Sequence, residues 1–165
     1  MRSRGSAPAS IEFYLARITA QARGFEPSIS PGTKPTITEA DIRTALSIAT
    51  NPLEFHALMA KYCADPLSER VILIHTRHSS GLRFLEHYPD RPISGAVNQA
   101  IAESAVLYFV SPTLGLKRGD VGNAAHAGVA RNTWTKHYRD HFNRVTADLF
   151  EIERRGLLGV WRILK

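Results

Sequence analysis

Apolar residues recur at intervals of three and four along most of this chain, and polar residues mark where each run starts and stops. Ser10 precedes Ile11, Phe13, Tyr14, Leu15 and Ile18, a short amphipathic helix with a serine cap, closed by Gly24. Residues 23–37 contain Pro27, Pro31, Gly32 and Pro35 and read as a linker. Thr38 caps the next helix, with Asp41 at the third helical position and Ile42, Ala45, Leu46 and Ile48 as the buried stripe. Asn51-Pro52-Leu53-Glu54 restarts a helix: an asparagine cap, a proline in the first turn, a glutamate at the third position, then Phe55, Leu58, Met59 and Tyr62 at helical spacing. Asp65-Pro66 breaks the chain, and Ser68-Glu69 opens a third helix. The run Val71-Ile72-Leu73-Ile74 suits a buried strand or a buried helical turn, and its helical neighbours favour helix. Ser79-Ser80-Gly81 is expected to interrupt that helix, with a further short helical turn over residues 82–88. Ser94 caps a helix through Val97, Ile101, Ala105, Leu107 and Val110, which Ser111-Pro112 stops.

The pattern predicts a mainly α fold. Residues 1–36 form an N-terminal helix plus a Pro/Gly-rich linker, either a mobile arm or a docked satellite, and residues 37–165 form a helical domain. The tail from residue 157 reads as a final helical turn or as an alternating strand, with Leu158, Val160, Trp161 and Ile163 expected to pack. At 165 residues and 44% apolar composition the chain is long enough to bury a core unaided. Its longest apolar stretches are far too short to span a bilayer, and the basic N-terminus lacks the apolar core of an export signal. A single cysteine, Cys63, excludes an intramolecular disulfide framework and any Cys-based zinc site. A reducing cytoplasm is the expected location.

Charge singles out the C-terminal third. Residues 117–165 hold ten Lys/Arg and five Asp/Glu, whereas residues 1–116 hold eleven and ten, so nearly all of the net +6 lies in the last 49 residues. A localised basic surface draws a polyanion by phosphate neutralisation and counterion release. Within this stretch Ala124 is a small residue, Gly128 lies four positions on, and Val129 follows as an apolar plug. That order suits a helix-turn-helix over about residues 120–144, with residues 121–127 crossing a second helix. Trp134 and Tyr138 make the buried face of the second helix, and Phe142, Val145, Leu149 and Ile152 continue it as a core stripe. Arg131, Asn132, Thr135, Lys136 and Arg139 then face outward, side chains suited to base edges and phosphates of double-stranded DNA. Asn123 departs from the pattern, standing where an apolar first-helix residue is expected.

The segment Gly128-Val129-Ala130-Arg131-Asn132-Thr133-Trp134-Thr135-Lys136-His137-Tyr138, with Leu149, Arg154-Arg155 and Gly156-Leu157-Leu158 behind it, resembles the C-terminal part of bacteriophage late-gene antitermination Q proteins. The resemblance covers about residues 117–160. It implies a DNA-bound regulator that engages bacterial RNA polymerase, travels with it, and suppresses pausing and termination. The recognition-helix positions of that motif fall on Arg131, Asn132, Thr135, Lys136 and Arg139. Some antiterminators of this class carry paired cysteines for zinc, and this chain has none. A repressor or activator resting at its operator shares the same motif. A basic face that meets an acidic protein is the reading without DNA.

Other chemistry is harder to assemble. Arg77-His78-Ser79-Ser80 is similar to the strand end of histidine phosphatases, but no alternating strand and helix pattern surrounds it. His137 and His141 share a helix face, two ligands where a metal site needs more. Cys63 has His56 seven residues away, too distant to act as its base. No catalytic residue, cofactor or metal is therefore expected.

Overall fold

The computed structural model describes residues 39–164. The expected N-terminal helix, the linker and the Thr38 cap lie outside them. Helix α1 (Glu39–Ala49) buries Ile42, Ala45 and Leu46 from its apolar stripe and leaves Ile48 exposed. Helix α2 (Pro52–Cys63) starts on a capping box: the Asn51 side chain accepts from Glu54 N at 2.9 Å and Glu54 Oε2 accepts from Asn51 N at 3.1 Å. Ala64 adopts a left-handed conformation at φ 47° and closes it.

Asp65 then caps α3 (Pro66–His87), its carboxylate accepting from Ser68 N at 2.9 Å. The expected break at Ser79-Ser80-Gly81 does not occur. One helix of 22 residues runs straight through it. Tertiary contacts override the local breakers here. Ser80 is fully buried and shares a 2.9 Å hydrogen bond with His141 Nε2, while Asn98 Nδ2 donates to the Arg77 carbonyl at 2.9 Å. The apolar run before it is helical as expected, with Ile72 buried and Ile74 exposed. Helix α4 (Gly95–Val110), capped by the Ser94 hydroxyl, is the central element and buries Val97, Ile101, Ala105, Val106 and Phe109. Helix α5 (Pro112–His126) follows at once from Ser111.

The last element is long. A turn of α-helix (Arg131–Thr133) passes through a π-helical turn (Trp134–Tyr138) into α6 (Arg139–Leu164), with right-handed helical dihedrals at both junctions. The expected stripe is present: Phe142, Val145, Leu149 and Ile152 are buried against the core around α4. Glu153, one residue beyond, is buried too. It accepts 2.8 Å hydrogen bonds from Lys61 Nζ and a further one from the Tyr62 hydroxyl. The Lys61 ammonium lies 4.6 Å from the centre of the Phe150 ring and 5.0 Å from that of Phe109. Gly159 lets α1 approach, since a Cβ there would meet the Ala49 carbonyl oxygen at 2.7 Å. The C-terminal tail is helical to Leu164, and no strand occurs among the described residues. Val160 is buried as expected, but Leu158 and Ile163 are exposed, because helical spacing turns only the Val160 side toward α1 and α2.

Candidate nucleic-acid interface

The candidate surface lies where α5 meets the Arg131 turn. Gly119, at φ 55° and ψ −169°, kinks α5 and re-aims residues 120–126 as a separate helical stretch. That stretch ends in a paired closure: Val129 N donates to Ala124 O at 3.0 Å and Gly128 N to Ala125 O at 3.1 Å. Gly128 supplies the left-handed residue this closure requires, with φ 67°. Ala130 is extended and starts the next helix, with Trp134 N donating to its carbonyl at 2.9 Å. Ala124 is buried and Val129 packs on the core. The small residue, the turn glycine and the apolar residue after it thus form the connection between the two helices.

Trp134 is fully buried and Tyr138 half-buried, and they hold the second helix against the first. The indole ring lies 5.7 Å from Phe142 and 6.4 Å from Tyr138, centre to centre. Its Nε1 donates to Asp120 Oδ1 at 3.1 Å. The second oxygen of the same carboxylate accepts from Arg139 Nη2, which also reaches Thr135 Oγ1 at 3.3 Å. Asp120 therefore ties the start of the first helix to two turns of the second. A second tie sits at the other end of the first helix. His126 Nε2 lies 2.5 Å from Glu103 Oε2 on α4. Burial raises the Glu103 pKa, but hydrogen bonds from Gln99 and His126 outweigh it and hold the carboxyl below its ordinary value.

Of the five residues expected to face nucleic acid, Arg131, Asn132, Thr135 and Lys136 are exposed on one side of the helix. Arg139 is half-buried and paired with Asp120, and its Nε is buried without a partner. It braces the exposed row from behind. Exposed Lys117 and Arg144 add cations on the flanking elements. Thr135 and Lys136 lie within the π-helical turn, whose wider winding sets their angle relative to Arg131.

The two helix-face histidines diverge. His137 Nδ1 lies 3.1 Å from Arg91 Nη1 near the surface, whereas His141 is buried. Among the described residues no group of three or more His, Cys, Asp or Glu is placed to hold a metal ion. Arg77, His78, Ser79 and Ser80 lie in mid-helix, and Cys63 is buried. No helix of the described residues is long and apolar enough to cross a membrane. Asp120 carries no sequence signal beyond its charge, because its partners lie 14 and 19 residues away. No family model, curated protein or solved structure matches this chain.

Proposed function

We propose that this protein binds double-stranded DNA through its helix-turn-helix and regulates transcription. The observation that carries this reading is the Gly128 turn, which presents Arg131, Asn132, Thr135 and Lys136 as one exposed polar row on a helix braced by Trp134 and Asp120. Arg and Asn in such a row suit guanine and adenine edges in the major groove, and Lys suits phosphate. The basic balance of the C-terminal third supports the same partner. The resemblance to late-gene antitermination Q proteins supports a narrower role: a regulator that loads onto bacterial RNA polymerase and suppresses termination.

The test is fluorescence anisotropy on duplexes selected from a random pool, run across a range of salt concentrations. Lys136→Ala is expected to lower the salt slope by about one, and Arg131→Ala to weaken the selected site by about 1–3 kcal/mol. Both variants should unfold like the parent. Unchanged binding in both overturns the assignment of this helix. Read-through of a terminator by purified polymerase, with and without the protein, tests the narrower role.

A further inference from the structure

Helix α3 turns its bulkiest aliphatic residues outward. Its inward face, at intervals of four, is Ser68, Ile72, Thr76, Ser80 and Phe84, three of them hydroxyl residues. Its outward face carries Leu67, Ile74, Leu82 and Leu85, each at least half exposed. Single exposed aliphatics are ordinary, but these are aligned. Leu67, Val71, Ile74, His78, Gly81 and Leu85 follow one another at alternating intervals of four and three residues, the seam of a two-helix coiled coil. The seam is continuous because the helix runs unbroken through Ser79-Ser80-Gly81. Midway along it lies a shallow groove of about 450 Å³, walled on α3 by Ile74, Arg77, His78, Gly81 and Leu82, with Asn98 of α4 opposite. The first four of these stand at i, i+3, i+4 and i+7, the positions that form a hole for one side chain of a facing helix. The absence of a side chain at Gly81 deepens that hole.

Charge decides the occupant. Arg70 and Arg77 are both exposed and lie along one edge of the seam, where facing helices exchange ion pairs. Neither makes an ion pair among the described residues, whereas Arg83 of the same helix is paired with Asp148 at 3.0 Å. Of the two glutamates of α3, helical spacing puts Glu69 on the side away from the seam and Glu86 along its other edge. We propose that this face docks an amphipathic helix of another protein, whose apolar seam is flanked by carboxylates that meet Arg70 and Arg77. A second copy of this chain does not supply them. An antiparallel pair of α3 helices sets the two arginine edges against each other, and a parallel pair sets Arg70 against His75 and Arg77 against Leu82. The face shares no residue with the exposed row at Arg131, Asn132, Thr135 and Lys136, so it is independent of the DNA reading.

The test uses the full chain and two synthetic helical peptides of about three heptads. Both carry leucine along the seam, and they differ only in the flanking residues, glutamate in one and lysine in the other. By fluorescence anisotropy the glutamate peptide is expected to bind saturably and at least about tenfold tighter than the lysine peptide. Ile74→Gln changes no charge and should weaken that binding about tenfold. Arg70→Glu/Arg77→Glu should reverse the preference between the two peptides. Lys136→Ala should leave it unchanged, which separates this face from general attraction to the basic C-terminal third. All these variants should unfold like the parent, because the substituted side chains are exposed. The proposal is overturned if the glutamate peptide does not bind saturably, if binding survives Ile74→Gln or is lost in Lys136→Ala, or if the double charge reversal leaves the preference in place. Two other occupants would overturn it as well. Self-association in sedimentation velocity that Ile74→Gln abolishes assigns the face to a second copy, and a marked loss of stability in Ile74→Gln shows that the chain covers the face itself.

Discussion

Acidification should destabilise this fold through one residue, His141. The imidazole is 1% exposed on α6, with Nε2 hydrogen-bonded to Ser80, Nδ1 buried without a partner, and the Phe84 ring edge-on at 5.1 Å. Burial above all, then the nearby charges of Arg144, His87 and Arg83, pushes its pKa down to about 4, against a small opposing contribution from the Ser80 hydrogen bond. In the unfolded chain it titrates at its ordinary value of 6.5. Between those two values the unfolded state carries the proton and the folded state does not. Stability is then fully present above pH 6.5 and is lost as the pH falls toward 4. Moving the proton affinity that far corresponds to about 3 kcal/mol, at up to about 1.4 kcal/mol per pH unit. Urea denaturation at pH 7, 6, 5 and 4.5 measures it. His141→Gln keeps a hydrogen-bonding group for Ser80 and cannot titrate, so its stability should fall much less over the same range, whatever its value at pH 7. Glu103 and Asp65, whose pKa values are held down, and Asp148, whose pKa is raised by burial, contribute equally in both proteins and cancel in the difference. Parallel curves for the two proteins between pH 6.5 and 5, or a His141 NMR titration centred near 6.5, would refute the burial argument.

Three further perturbations report on the ties that hold the interface and the core. Asp120→Asn removes the charge that holds Arg139 and should cost about 1–3 kcal/mol in urea unfolding while weakening DNA binding; a loss of neither means that the clamp is idle. Gly128→Ala meets nothing within 4 Å, so its cost is conformational alone, about 1–2 kcal/mol, and Gly128→Asn should cost less. Lys61→Met strands the Glu153 carboxylate in the core and should cost about 3–5 kcal/mol, with Lys61→Met/Glu153→Leu recovering much of the loss; equal destabilisation of the single and double variants would show that the buried charge is not the cause.

Local chemistry was readable and long-range chemistry was not. Asn51 with Pro52 and Glu54, and Ser94, announce helix starts because a cap acts over three or four residues, whereas Asp65-Pro66 and Ser111-Pro112, which read as breaks, are also where α3 and α5 begin. Gly128 was readable for the same reason, as the left-handed residue of a closure spanning only six positions. The mistaken break at Ser79-Ser80-Gly81 shows the limit. Its helix is maintained by His141 and Asn98, which lie 61 residues from Ser80 and 21 from Arg77. Arg139 shows it again. Periodicity puts it on the outward row, and only the kink at Gly119 brings Asp120 near enough to claim it.

One continuous helical run serves two purposes. Its first turns carry the exposed row at Arg131, Asn132, Thr135 and Lys136, and its remainder is the keel against which α1, α2 and α4 pack. No loop separates the two parts, so the row cannot swing independently of the core. The short first helix of the motif is bounded by Gly119 at one end and Gly128 at the other. It is held by Asp120 at its start and by the contact of His126 with Glu103 at its end. A shift of this short helix would loosen the hold of Asp120 on Trp134 and Arg139, which back the exposed row. If the exposed row binds DNA as proposed, the loss of Asp120 should therefore weaken that binding although its carboxylate is turned toward Trp134 and Arg139.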